Sequence, residues 1–172
     1  HWFKVQEELG EEKPLAIKHI AILRQAITAF LPDFSNLHVI DYNGNPHFMI
    51  EKNGVPLSVF QLSDGERGVI SMVLDLAKRL SQANPDLENP LKDGSAIVLI
   101  DELDLHLHPK WQRTIVENLS RTFPNCQFIA TTHSPQIIGE VPPDCITVIN
   151  NGTYHPATSY GVDSSRVLAE IL

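Results

Sequence analysis

The sequence predicts an α/β fold: a parallel sheet with helices packed on it, preceded by a small antiparallel meander. Three observations carry that expectation. The run Ala96-Ile97-Val98-Leu99-Ile100 is apolar without interruption and β-prone, the pattern of a strand covered on both faces. A helical stretch opening at Pro109 follows, with Trp111, Ile115, Leu119 and Phe123 at spacings of four, and then a second β-prone run over residues 127–131. Strand, helix and strand make a crossover unit, which is right-handed and forces the two strands parallel. Finally, residues 37–60 hold short apolar runs broken by Asn43-Gly44-Asn45-Pro46 and Asn53-Gly54, the turn chemistry of a meander.

Ahead of the meander, Ile17, Ile20, Leu23, Ile27 and Phe30 recur at spacings of three and four, so residues 15–31 form a helix with these on one face, ended by Pro32. After it, Val69, Met72, Val73, Leu76 and Leu80 share one face of a second helix, running from Gly65 to about Gln82. A polar, proline-containing loop spans residues 84–94. Ser134-Pro135 reads as the N-cap and first position of a short helix, and residues 146–149 as a third strand. The segments expected are a helical lead-in (1–35), the meander (36–62), and a lobe built on the second helix and the apolar strands (63–172).

The 172 residues, 42% apolar and 20% charged, suit a globular domain. No apolar run approaches the roughly 20 residues that span a bilayer, and the opening HWFKVQEELGEEK has no secretory core, so the expected location is cytoplasmic, with no membrane partner. Cys126 and Cys145 each stand at the start of a strand-like run, where a thiol behaves as a small buried hydrophobe rather than half of a disulfide. A formal net charge of −8 argues against nucleic-acid binding through bulk positive charge and leaves room for a local basic patch. The chain begins without methionine in what reads as mid-helix, as a piece of a longer protein would.

In open parallel sheets, ligands bind beyond the carboxyl ends of the strands. There the first run ends in Asp101-Glu102 and the second in Thr131-Thr132-His133. An acid pair at such a strand end suits metal-assisted phosphoanhydride hydrolysis, one carboxylate organising Mg²⁺ and the next deprotonating an attacking water. At the other junction, QLSDGERG (residues 61–68), Ser63 and Glu66 have capping-box spacing. The same turn presents a hydroxyl and backbone N–H groups at a helix N-terminus, and Gly65 allows close approach to the backbone, which suits an anion.

Together these residues carry a resemblance. QLSDGERG resembles the signature loop of ABC-type (P-loop NTPase) ATPase heads, AIVLIDE a Walker B strand, LDLHLHP the D-loop of the RecF/SMC-like branch, and TTHSP its switch-histidine loop. The four occur in the family's order between about residues 60 and 138. The wider pattern, with YGVDSSRVL near the end, is similar to the PtuA-type ATPases of Septu and retron-linked antiphage systems. The resemblance implies a homodimer of heads with ATP and Mg²⁺ between them. Ser63 and Gly65 would reach the γ-phosphate of a nucleotide held by the other subunit, Asp101 would organise Mg²⁺, Glu102 would be the general base and His133 would contact the γ-phosphate. Leu107, His108 and Pro109 would lie in the interface. It further implies an HNH-type, PtuB-like nuclease as partner and, in retron systems, a reverse transcriptase with its RNA–DNA product. Asp64 departs from the pattern, since transporter-type signatures often carry glycine there; a carboxylate near phosphates is unfavourable unless it points away, so no ligand role is assigned to it.

A Walker A loop, G-x-x-x-x-G-K-[ST], is absent: the sequence contains no Gly-Lys dipeptide. The expectation is therefore the C-terminal lobe of a split head, with the phosphate-binding loop N-terminal to His1. Related heads act in DNA repair, and OLD-type relatives carry a Toprim nuclease after the head; no such domain is expected within these 172 residues. Two readings of another class are a nucleotide-switched binding module with little hydrolysis, and a metallohydrolase using His106 and His108 with Asp101, Glu102 and Asp104 nearby.

Overall fold

The computed structural model describes residues 14–43, 45–150 and 153–156. The chain forms two compact units, one from residues 1–96 with 118–127 and the other from 97–117 with 128–172.

In the first unit, helix α1 (Pro14–Phe30) buries Ile20, Leu23, Ala26, Ile27 and Phe30. Its predicted face begins one turn later than expected: Ile17 is 58% exposed. Leu31 N–H makes the last helical bond, to Ile27 O at 2.8 Å, and Pro32 cannot continue the ladder. Strands β1 (Phe34–Tyr42), β2 (Asn45–Lys52) and β3 (Val55–Ser58) form an antiparallel sheet in the order β1-β2-β3. Asn53 and Gly54 both have positive φ (51° and 76°), so a two-residue loop joins Lys52 to its partner Val55 in the tight hairpin that Asn-Gly favours. Helix α2 (Asp64–Ala83) buries Val69, Ile70, Val73, Ala77 and Leu80, and the one-turn helix α3 (Pro90–Asp93) follows. Leu119, Thr122 and Phe123 complete this core, and Arg121 Nη2 donates to Ala29 O at 3.0 Å.

The strand-like run expected through Phe60 stops at Ser58. Residues Val59–Gln61 form a 3-10 turn instead, because Ser58 and Gln61 make a capping box of their own: Ser58 N–H donates to Gln61 Oε1 at 2.8 Å.

Strands β4 (Ala96–Ile100) and β5 (Cys126–Ala130) are hydrogen-bonded neighbours. Thr131 N–H donates to Ile100 O and Thr131 O accepts from Leu103 N–H, both at 2.9 Å, so one residue reaches forward and back along its partner as in a parallel ladder. Full burial of β4 does not hold. Val98 and Ile100 are half-buried, whereas Ile97 and Leu99 are 71% and 75% exposed, and Ile129 on β5 is 53% exposed. An apolar run buries both faces only where layers cover both, and the described residues cover one.

The crossover helix is broken. Helices α4 (Pro109–Gln112) and α5 (Ile115–Thr122) flank a turn at Arg113-Thr114. Thr114, Ile115 and Val116 are consecutive β-branched residues, and the Thr114 hydroxyl bonds back to Trp111 O at 3.3 Å, competing with the helical ladder. Helix α6 (Pro135–Gly139) starts where expected, Ser134 Oγ accepting from Ile137 N–H at 3.3 Å. The expected third strand, β6 (Thr147–Asn150), pairs with β7 (Thr153–Pro156) in a separate antiparallel hairpin; Asn151-Gly152 in the sequence is the turn signal for it. Cys126 is half-buried but Cys145, in a 3-10 turn, is exposed, against expectation; both are free thiols. The YGVDSSRVL segment and the residues before Pro14 lie outside the described residues.

Candidate nucleotide site

Two separate places carry the predicted residues. The first is the turn into α2. Both halves of the capping box form: Ser63 N–H donates to Glu66 Oε2 at 2.9 Å, and Glu66 N–H donates to Ser63 Oγ at 3.3 Å. The Ser63 hydroxyl also donates to Glu66 Oε2 at 2.9 Å, and Lys52 Nζ donates to Glu66 Oε1 at 2.5 Å while sitting 5.6 Å from the centre of the Phe34 ring. Burial alone would raise the Glu66 pKa; hydrogen bonds from Lys52 and from Ser63 outweigh it and hold the carboxyl below its ordinary value. Ser63 remains exposed and Gly65 half-buried at the second helical position. The Asp64 carboxylate pairs with Arg67, which also donates to Phe60 O at 3.3 Å, so its charge is matched within the turn.

The second place is beyond the carboxyl ends of β4 and β5, where Asp101, Glu102 and Thr131-Thr132-His133 were expected to meet. The two segments are tied together by side chains of both. Thr131 Oγ1 donates to Asp101 Oδ1 at 2.5 Å and accepts from Glu102 N–H at 2.8 Å. The Asp104 Oδ1 atom accepts from the Thr132 hydroxyl and from His133 N–H, the latter at 3.1 Å. Asp101, Glu102 and His133 are exposed, so this edge is open to a ligand. Glu102 has φ 50°, a left-handed conformation costing an L-residue about 1–2 kcal/mol, and its bond to Thr131 helps hold it there. For Asp104, burial works toward a higher pKa, but the hydrogen bonds from Thr132 and His133 prevail and the carboxyl sits below its ordinary value.

Past Asp104 the chain turns tightly: Leu105 N–H donates to Glu102 O and Leu107 N–H to Asp104 O, at 2.9 and 3.0 Å. Leu107 is half-buried, and His108 and Pro109 are exposed. His108 is the N-cap of α4, its Nδ1 accepting from Lys110 N–H at 3.2 Å, a bond that puts the proton of the neutral ring on Nε2. That leaves the metallohydrolase reading without support, since among the described residues no group of three or more His, Cys, Asp or Glu side chains is arranged to hold a metal.

Sequence reasoning missed the tying residues. The sequence places Thr131 and Thr132 at a strand end and in the TTHSP loop without indicating that they tie the two segments together. The available signal was a Thr-Thr pair beside a carboxylate-rich loop, where hydroxyl donors find acceptors.

Residues 17–139 match the family model described as "AAA domain, putative AbiEii toxin, Type IV TA system". The chain belongs to this family. This AAA-domain chain is 43% identical to the Retron Ec83 probable ATPase of Escherichia coli, over 97% of its own length and 31% of the relative's. It is also 43% identical to the Septu protein PtuA of Bacillus mycoides (strain KBAB4), over 43% of its own length and 10% of the relative's. It thus spans about a third of the retron relative. Its fold is similar to a structure from work on ATP-driven dimerization and DNA-stimulated activation of SMC ATPases, with TM-score 0.61 at 14% identity over 90% of this chain and 91% of that one. The AAA-domain chain therefore has the α/β fold of SMC ATPase heads, and the sequence's resemblance to the PtuA-type ATPases of retron and Septu systems is upheld.

The two depressed carboxylates set a pH dependence. A carboxyl held below its unfolded value, roughly 4, stabilises the fold fully above that value and loses the contribution as pH falls through its folded value. The melting temperature of the full-length protein is expected to fall below about pH 4, and Glu66→Gln with Asp104→Asn to flatten that acid limb while lowering stability at neutral pH. Thermal melts from pH 7 down to 3 check this; parallel curves would contradict it.

Proposed function

We propose that the full-length protein is a cytoplasmic ATPase of an antiphage defence complex, and that these residues are the C-terminal lobe of its split head. The observation that carries the reading is the hydrogen-bonded edge where Asp101, Glu102 and the Thr131–His133 segment meet in an SMC-type fold. The exposed apolar face at Ile97, Leu99 and Ile129 supports the split, since further chain, such as the retron relative has beyond the third that is matched here, would cover it.

In this reading Glu102 accepts a proton from the attacking water as the water oxygen bonds to the γ-phosphorus and the ADP oxygen leaves. Asp101 fits Mg²⁺ as a hard carboxylate ligand; the ion would supply charge neutralisation for the phosphates. Thr131 fixes the Asp101 oxygen it binds, so the metal and base roles fall on adjacent residues without competing. His133 contacts the γ-phosphate. Ser63 and Gly65 complete the pocket of a second head, for which the Ser63 hydroxyl must turn its hydrogen from Glu66 to phosphate. Leu107, His108 and Pro109 lie between the heads. Hydrolysis then gates an HNH-type nuclease, with a reverse transcriptase and its RNA–DNA product in the same complex where the system is a retron.

Purification of a tagged full-length protein from its native host, followed by mass spectrometry, tests the role. Recovery of an HNH-type nuclease in stoichiometric amount is expected; recovery of recombination proteins with no nuclease would assign it to repair instead.

A further inference from the structure

The loop after β4 and the loop after β5 are joined by more than their strand ladder, and two side chains do most of the joining. Asp104 Oδ1 takes two bonds from one short stretch of the second loop, the Thr132 hydroxyl and the His133 amide. Gln112, on α4, works from the other side. Its Nε2 donates to Leu107 O at 3.0 Å and to Asp104 O at 3.4 Å, and its Oε1 accepts from Ser134 Oγ at 2.8 Å. Ser134 is 4% exposed and caps α6, so the residue after His133 is anchored as firmly as the residue before it. His133 itself is exposed, and the hydrogen bond that ties it to the first loop runs from its main-chain N–H to Asp104. Its position is therefore inherited from its backbone.

From this we infer that Asp104 and Gln112 are positioning residues for His133, forming a clasp that sets the imidazole relative to the Glu102 edge. The inference rests on the proposed role of His133 at phosphate. It is separate from any ligand contact by Asp104, whose Oδ1 points into the second loop. Both bonds end on a single oxygen, so the hydrogen-bonded part of the clasp requires a carbonyl-type acceptor at that point, which asparagine also supplies. Displacement of a positioned group by about 1 Å costs on the order of 10²-fold in rate, and this sets the scale.

The test is a double-mutant cycle in the full-length protein, reading kcat and KM for ATP. Asp104→Ala is expected to lower kcat about 10- to 100-fold with KM changed less than about threefold, on the scale of a lost positioning contact. Asp104→Asn keeps the acceptor and should recover most of the rate. Gln112→Ala, which removes the other half of the clasp, should act in the same direction. Combined with His133→Ala, neither should reduce kcat further, because each acts through the imidazole. Multiplying losses in the double variant, or an Asp104→Asn as slow as Asp104→Ala, would overturn the clasp while leaving the site reading intact. A His133→Ala variant at wild-type turnover would overturn the site reading, and the inference with it.

Discussion

Replacing Glu102 by glutamine in the full-length protein is expected to lower ATP turnover roughly 10²–10⁴-fold, about 2.7–5.4 kcal/mol of barrier, while leaving nucleotide binding intact. The amide has the size and shape of the carboxylate but cannot take a proton from water at neutral pH. Its backbone is undisturbed, because the bond that holds the left-handed conformation runs from the Glu102 main-chain N–H to Thr131 Oγ1. Phosphate release and fluorescent-nucleotide titration measure the two quantities independently. Unchanged turnover would remove Glu102 from the chemistry and favour a nucleotide-switched binding module.

Ser63→Arg is expected to abolish ATP-dependent association of heads while one protomer still binds nucleotide. The hydroxyl is exposed at the start of α2, so a long cationic side chain there would project into the space where the proposed second head docks. Loss of a well-made interfacial polar contact costs about 2–5 kcal/mol, or at least about 30-fold in association. The substitution also removes a cap worth about 1 kcal/mol, which a melting control reports separately. Sedimentation with and without ATP, beside a single-protomer binding assay, reads the outcome. Loss of binding by the isolated protomer would place Ser63 in its own subunit's nucleotide site instead.

Much of the fold was legible because its signals are local. Asn53-Gly54 specified a hairpin, Ser63 and Glu66 a helix start, and Ala96–Ile100 a strand, each through chemistry confined to a few adjacent residues. What escaped depends on partners distant in sequence. The exposure of Ile97 and Leu99 is set by which layers cover the sheet, and a periodicity argument assumes those layers. The break at Arg113-Thr114 came from a β-branched run competing with an otherwise good helical spacing. At the candidate site, the acids and the histidine were legible as strand-end residues, whereas the Thr131, Asp104 and Gln112 bonds that organise them span up to 30 residues and leave no local pattern.

The capping box at Ser63 illustrates a further limit of local reading. The structural and the ligand-binding interpretations of that turn use the same atoms: the hydroxyl that would meet phosphate now donates to Glu66, whose other oxygen is held by Lys52. Only a measurement across two molecules separates them.

That measurement is co-expression of two full-length variants under different tags, Glu102→Gln and Ser63→Ala, the latter removing the hydroxyl without the bulk that blocks association, with ATP turnover read on the doubly tagged complex. If each pocket draws its base from one head and its serine from the other, the mixed complex holds one wholly intact pocket, and its turnover should rise well above that of either variant alone. A mixed complex no faster than its two parents would contradict the shared pocket.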